Sequence, residues 1–156
     1  EHLGFPDNSD LQLMHQLGVI AVMQPVFIEE LGNNFIDNID EQYLSTVYPV
    51  RNVIEAGVTV AFSTDAPVVR QINPLNNIQS AISRKTLQGK VIAENQRVTF
   101  KEALYAYTMG SAIAGNQANQ LGSVEQGKFA DFLILKHLGT NNAELVQTYI
   151  GGAPVV

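Results

Sequence analysis

The sequence predicts an α/β fold built on a parallel sheet, followed by a small β segment. Two unbroken apolar runs, at residues 19–23 and 58–62, have the composition of strands that are covered on both faces. Each run follows a helical pattern that ends at a glycine, Gly18 or Gly57. Helices that alternate with buried strands are typical of βα units, so we expect the two strands to be parallel.

Periodicity and punctuation predict the other elements of the first half. Several N-cap candidates precede apolar residues at helical spacing, which predicts a short helix over residues 9–17. Residues 26–39 are polar and contain Gly and Asn, so we expect a loop there. A weaker helical pattern runs through residues 43–56 and is interrupted at Pro49.

In the second half, residues 75–86 have a helical pattern and residues 87–97 are expected to form a loop. Thr99 and Glu102 have the spacing of a capping box, which predicts the start of a helix that continues to about Ala114.

The composition changes near residue 116. From Leu121 onward, glycines separate short apolar segments, and this pattern is typical of short strands joined by turns. The chain is therefore divided into an α/β part, residues 1–116, and a β appendage, residues 117–156.

Composition excludes several classes of protein. The 156 residues suit one domain or a piece of one, and 46% apolar residues argue against disorder. The formal charge is −6 without a basic cluster, so we expect neither nucleic acid nor a membrane surface as a partner. The absence of Cys excludes disulfides and thiol chemistry. The first residues match neither a natural start nor a signal peptide, so we expect a fragment, with a cytoplasmic location as the default.

Asp65 and His2 are the candidate site residues. Asp65 follows the second buried run directly, and in α/β barrels catalytic groups project from the carboxyl ends of strands. The alternative for Asp65 is a turn or helix-capping residue, and for His2 a solvated side chain near the chain end. His15 and His137 are interpreted as surface residues. Asp131 is interpreted as a structural carboxylate that bonds neighbouring backbone.

No zincin, serine-hydrolase, phosphate-loop or dinucleotide-binding motif is present in the sequence. A series of weaker motifs is present instead, in a fixed order. It comprises His2 and the segments at residues 18–25, 57–68, 73–75, 99–110, 121–132 and 150–152. In this order and spacing the motifs resemble the C-terminal part of a metal-dependent amidohydrolase. The resemblance is to amidohydrolase family 3, of the exoenzyme-regulation and N-substituted formamide deformylase type, and covers essentially the whole chain.

The resemblance implies a fold. Members of this family have a (β/α)8 barrel and a small β-sandwich assembled from the segments before and after the barrel. Residues 19–23 would then be the seventh barrel strand and residues 58–62 the eighth. Residues 1–116 would be part of the barrel, and residues 117–156 the sandwich segment that follows it.

The resemblance also implies a chemistry. His2 resembles a histidine that ligates or faces a divalent metal, usually zinc, and Asp65 resembles the aspartate that contacts the metal and shuttles a proton. The substrate would be a small amide-type molecule; amides, formamides and cyclic imides all stay open. The family's other ligands would lie upstream, and a catalytic zinc needs about three protein ligands. We therefore expect little or no hydrolysis from the isolated chain.

A second interpretation belongs to another class of function. A partial barrel exposes strand edges and apolar surface, which favours self-association, so we expect a homo-oligomer. In that interpretation the chain is a non-catalytic structural, dimerising or binding module.

Overall fold

The computed structural model describes residues 1–139 and 143–155. The first helix, α1, is Asn8–Gln16, and its start is fixed by a capping box between Asp7 and Asp10. Leu17 caps its end, and Gly18 follows at φ +65, a backbone conformation that glycine adopts at little cost. The predicted helix is confirmed to within one residue at each end.

Strands β1 (Ala21–Met23) and β2 (Val60–Phe62) form a two-stranded parallel sheet. Ala21 pairs with Val60 and Met23 pairs with Phe62, and all four residues are buried. The parallel arrangement is confirmed. Both strands are shorter than the apolar runs that predict them, because each begins two residues later.

The segment after β1 was expected to be a loop, and this prediction is wrong. The 13 residues Val26–Asn38 form helix α2, whose apolar residues Phe27, Ile28 and Phe35 pack in or against the core. Gly32 made the segment resemble a loop, but it has a packing role. A Cβ at this position would lie 2.6 Å from Cγ2 of Thr86, so only glycine lets α2 approach that residue so closely.

Two short helices follow, α3 (Glu41–Leu44) and α4 (Val50–Glu55). Pro49 is the N-cap of α4, which agrees with the predicted interruption of the helical pattern at this residue. Helix α5 is Pro74–Ser83, capped by the Asn73 side chain.

Helix α5 ends three residues before the predicted end at residue 86. Arg84 leaves the helix at φ +55, and its buried guanidinium donates to the carbonyl groups of Val47, Tyr48 and Ile92. The expected loop that follows contains a short 3₁₀ turn, Glu94–Gln96, and an isolated bridge between Lys85 and Val91. The tertiary hydrogen bonds that Arg84 donates therefore determine where the helix ends.

The capping box of Thr99 and Glu102 is confirmed: each side chain accepts a hydrogen bond from the other residue's backbone N–H. A continuous helical segment follows, made of α6 (Phe100–Tyr105), a π turn (Ala106–Gly110) and α7 (Ser111–Ala114). Gly110 lies against the backbone of Val60 in β2. The helical segment therefore packs directly against the backbone of the parallel sheet.

Strands β3 (Phe132–Lys136), β4 (Glu144–Ile150) and β5 (Ala153–Val155) form a three-stranded antiparallel sheet. The prediction of short strands after Leu121 is confirmed. Many apolar side chains of this three-stranded sheet are exposed: Leu133, Ile134, Leu145, Val146 and Ile150. By contrast the core around β1 and β2 is well buried. In the described part of the chain, every helix is too short or too polar to cross a lipid bilayer.

One ion pair fastens α4 to α6. The Arg51 guanidinium donates to both carboxylate oxygens of Glu102, at 2.7 and 2.8 Å, and also to the carbonyl of Arg97. A bidentate pair of this kind is among the stronger side-chain interactions. The hydrogen bonds from Arg51 and Thr99 lower the pKa of Glu102 to about 2.

Gly110→Ala should destabilise the protein strongly, because the added Cβ would overlap the carbonyl oxygen of Val60. We expect the free energy of unfolding to fall by about 3 kcal/mol or more in urea titrations. Gly115→Ala is the matched control at the end of the same helical segment, where the nearest atom is at 3.4 Å, and should change stability by less than about 1 kcal/mol. Equal effects at the two positions would contradict this packing argument.

Glu102→Gln should lower stability at pH 7, and the difference from wild type should shrink in acid. A carboxylate with a lowered pKa stabilises the fold above its unfolded-state pKa, near 4.5, and loses this contribution as pH falls through about 2. Glu55→Gln is the control, because Glu55 is 65% exposed and lies 3.9 Å from Arg51 Nε. Urea unfolding of both variants between pH 6 and pH 2 tests the prediction; a constant difference for Glu102→Gln would refute it.

Candidate functional site

The carboxyl ends of β1 and β2 meet at one edge of the parallel sheet. Gln24 follows β1, and Ser63 and Asp65 follow β2. The N-terminal segment runs beside β1, where the backbone N–H of His2 donates to the carbonyl of Val22 at 3.2 Å. Side chains from three parts of the chain therefore converge here.

The structure brings the two sequence-predicted site residues together. Nε2 of His2 lies 3.8 Å from Oδ2 of Asp65, and the side chains are 46% and 29% exposed, respectively. They are 63 positions apart in sequence, so only the fold makes them neighbours. Both stay accessible to a small molecule or an ion.

The His2 ring is held on its face and on one edge. It stacks on Phe27 with ring centroids 5.6 Å apart and planes inclined by 15°. Its Nδ1 is at hydrogen-bond distance, 2.8 Å, from Oε1 of the buried Gln24. These contacts leave Nε2 as the ring atom that faces Asp65.

Asp65 sits in a turn with a left-handed backbone, at φ +55. Aspartate tolerates this conformation better than most residues do. The Asp65 carbonyl accepts from the N–H of Val68 at 2.8 Å, and Ser63 N–H donates to the carbonyl of Met23 at 3.1 Å. Asp65 is therefore a turn residue, as the alternative interpretation expected, and at the same time its carboxylate faces His2.

Tyr48 is a buried neighbour that the sequence analysis missed. Its ring packs against Phe27 and Phe35, with centroids 5.8 and 6.1 Å away, and its backbone is at φ +49. Burial, followed by the negative charge of Asp65, raises the pKa of Tyr48 to about 12. The phenol therefore keeps its proton at neutral pH.

Arg84 supports Tyr48 from the backbone side. It donates from Nη2 to the carbonyl of Val47 at 2.7 Å and from Nη1 to that of Tyr48 at 3.0 Å. Burial lowers the pKa of this fully buried guanidinium to about 10, which still leaves it charged at neutral pH. The sequence gives no indication of this role, because Arg84 is a single arginine at the end of a helical pattern and its partners are distant in sequence.

Asn77 on α5 fastens both strand ends. Its Oδ1 accepts from the N–H of Val26, after β1, at 2.5 Å. Its Nδ2 donates to the carbonyl of Ser63, after β2, at 2.6 Å, and to the Tyr107 hydroxyl at 3.0 Å. Asn77 is fully buried, so these bonds replace all of its hydration.

The other sequence interpretations have clear outcomes. His15 is exposed, and its Nδ1 donates to the carbonyl of Gly57 at 2.9 Å; His137 is also exposed. Oδ1 of Asp131 accepts from the N–H of Gly151 at 2.7 Å, so its structural role is confirmed.

The donor set is partly suited to a metal ion. Zinc binds His and carboxylate ligands at about 2.0–2.2 Å, so two ligand atoms of one ion are at most about 4.4 Å apart, and the 3.8 Å between His2 Nε2 and Asp65 Oδ2 lies within this limit. Among residues 1–139 and 143–155, however, no group of three or more His, Asp or Glu side chains could hold a metal. The two residues therefore fit part of a metal site.

Comparison with known proteins gives consistent matches along the chain. A sequence profile described as the amidohydrolase family matches residues 1–156. The N-substituted formamide deformylase of Arthrobacter pascens is 29% identical over 97% of this chain, which corresponds to 29% of that protein. The imidazolonepropionase of Syntrophobacter fumaroxidans is 30% identical over the whole chain, or 31% of that protein.

Among solved structures, the chain is similar to a metal-dependent hydrolase from Pyrococcus horikoshii OT3, with a TM-score of 0.72 and 27% identity. The match covers 83% of this chain and 26% of that one. The 156 residues thus span less than a third of the length of each of these three proteins.

Asn77→Ala should destabilise the carboxyl ends of β1 and β2, because it leaves the Val26 N–H and the Ser63 carbonyl without their Asn77 partner. We expect a loss of about 2–4 kcal/mol in the free energy of unfolding. Asn76→Ala, at the half-buried neighbouring position, has the same gain in helix propensity and is the matched control. Denaturant unfolding compares the two; an Asn77 variant as stable as the Asn76 variant would show that Asn77 does not fasten this edge.

Proposed function

The chain belongs to the amidohydrolase family, and from that premise we propose that it is the C-terminal part of a metal-dependent hydrolase. In this proposal the enzyme cleaves a carbon–nitrogen bond of a small, non-peptide, amide-type substrate. The observation that carries the proposal is the approach of His2 Nε2 to Asp65 Oδ2, 3.8 Å apart at the carboxyl ends of two parallel strands. Catalytic groups of α/β barrels occupy this edge.

We further propose that β1 and β2 are the seventh and eighth strands of a (β/α)8 barrel. Residues 1–116 would be the barrel part, and residues 117–156 a segment of the composite sandwich. In a closed barrel each strand pairs on both edges, whereas in the described residues β1 and β2 have only each other as strand neighbours. Val19, two residues before β1, is 43% exposed, and several apolar side chains of the three-stranded sheet are exposed as well. Both features suit surfaces that pack against further segments.

His2 and Asp65 would hold the metal, with zinc as the candidate ion. When bound, a divalent ion of this kind lowers the pKa of a water molecule and polarises the substrate carbonyl. Because a catalytic zinc has about three protein ligands, the remaining ligands would come from outside the described residues.

Asp65 would carry the proton in the reaction. Its carboxylate accepts the proton that the attacking water loses, and then donates it to the leaving nitrogen as the carbon–nitrogen bond breaks. The Asp65 side chain is 29% exposed and its Oδ2 faces the His2 ring, so the carboxylate is accessible to a water molecule and to a substrate.

The substrate class is proposed from chemistry and from relatives. The names of two relatives are N-substituted formamide deformylase and imidazolonepropionase. We propose an N-substituted formamide as the first substrate to test, with other amides and cyclic imides as the next classes.

Two observations favour a second candidate function. Only two candidate ligands converge in the described part of the chain, and the three-stranded sheet exposes apolar side chains. These features also suit a non-catalytic module that dimerises or binds a protein partner. Retention of metal separates the two functions, because the module needs none.

The test uses the full-length protein that contains these residues. Elemental analysis after dialysis should find a bound divalent ion in wild type and a loss of it in His2→Ala. Asp65→Asn should lower kcat for hydrolysis of an N-substituted formamide by about 10²-fold or more, because the amide cannot accept the water proton.

His15→Ala is the control variant, since His15 is an exposed histidine bonded to the Gly57 carbonyl. It should keep both the metal and the activity. If His2→Ala retained the ion and Asp65→Asn hydrolysed the substrate at the wild-type rate, the proposed site would be wrong. A metal-free wild-type protein that dimerises would favour the non-catalytic module.

A further inference from the structure

We propose that Gln24 is a positioning residue that fixes the tautomer of His2, and so makes Nε2 the ring nitrogen available to a metal ion. This inference rests on the proposed function, in which His2 is a metal ligand. Gln24 follows β1 directly and is fully buried, although a glutamine side chain is ordinarily exposed. Its burial requires that its polar atoms be satisfied by neighbours.

The hydrogen-bond partners of Gln24 determine which way its amide points. Nε2 of Gln24 lies 2.8 Å from Oε2 of Glu1, 2.9 Å from Oγ of Ser63 and 3.4 Å from the carbonyl of Val22. A carboxylate and a carbonyl only accept hydrogen bonds, so the NH₂ group has to occupy this side. In the opposite orientation, the amide oxygen would face the Glu1 carboxylate at 2.8 Å.

The orientation of the amide then determines the tautomer of His2. Oε1 of Gln24 can only accept, and it lies 2.8 Å from Nδ1 of His2. His2 therefore carries its proton on Nδ1, and in the neutral ring Nε2 has the free lone pair. Nε2 is also the atom that faces Oδ2 of Asp65, at 3.8 Å.

This arrangement is what a metal-binding histidine needs. A ligating imidazole donates its other ring N–H to a fixed acceptor, which sets both tautomer and ring orientation. Here the acceptor is a neutral, buried amide, and Ser63 connects it to the turn that carries Asp65. Gln24 thus links the two proposed metal ligands without touching the metal itself.

The experiment reads the tautomer directly in metal-free, full-length protein. Nitrogen-15 NMR of labelled histidine, at a pH where imidazole is neutral, distinguishes Nδ1–H from Nε2–H. His2 signals are assigned with His2→Ala. Wild-type His2 should be the Nδ1–H form, and Gln24→Met should shift it to the Nε2–H form because the acceptor is lost. The double variant Glu1→Gln with Gln24→Glu restores an acceptor without bringing two carboxylates together, and should keep Nδ1–H.

His15 is the internal control. Its Nδ1 donates to the Gly57 carbonyl at 2.9 Å, so its tautomer should not change in any Gln24 variant. Zinc titration should show that Gln24→Met weakens binding by about 10–100-fold, with recovery in the double variant Glu1→Gln with Gln24→Glu.

A wild-type His2 with its proton on Nε2 would overturn the inference, and this measurement needs only the assignment variant His2→Ala, at a side chain that is 46% exposed, to fold. An unchanged His2 tautomer in a folded Gln24→Met protein would overturn it as well. A different result would contradict the proposed function, namely a zinc affinity that is unchanged in His2→Ala. The tautomer measured without metal therefore tests Gln24 separately from the metal site.

Discussion

The parallel pairing of β1 with β2 is the constraint on which the rest of the structure depends. Met23 pairs with Phe62, and these are the last residues of the two strands. The carboxyl ends of the strands therefore lie side by side, and the residues that follow them are neighbours. Gln24 then reaches Ser63, and the segment beside β1 carries His2 to Asp65. A shift of one residue in register would turn the side chains of one strand to the other face and separate these groups.

Buried polar side chains hold this edge of the sheet in place. Gln24, Asn77 and Arg84 are each fully buried, and each bonds to two or more other segments of the chain. A buried polar group that loses its partner costs about 1–3 kcal/mol, so such groups specify one arrangement more sharply than apolar contacts do. The core gives the fold its stability, and these three residues give the site its geometry.

The two parts of the chain differ in how well they bury apolar surface. The strands of the parallel sheet lie in a continuous core, whereas the three-stranded sheet exposes residues such as Leu133, Leu145 and Ile150. Apolar patches on soluble proteins mark surfaces that contact other segments or chains. This difference agrees with the comparisons, in which the chain spans less than a third of its relatives.

The sequence by itself determined the local features. The capping boxes at Asp7 and Thr99, the buried strands and the position of Asp65 after the second strand could all be predicted, because each depends on residues close together in the chain. The order of motifs also indicated the family, which the match over residues 1–156 establishes.

Only the tertiary structure decided the rest. Helix α2 was missed because the Gly32 that suggested a loop is required by a contact with Thr86, more than 50 residues away. The early end of α5 depends on carbonyl groups that Arg84 meets across the core. The roles of Gln24 and Tyr48 likewise depend on partners distant in sequence. Hydrophobic periodicity reports which face of an element is buried, but it carries no information about which distant polar group lies opposite.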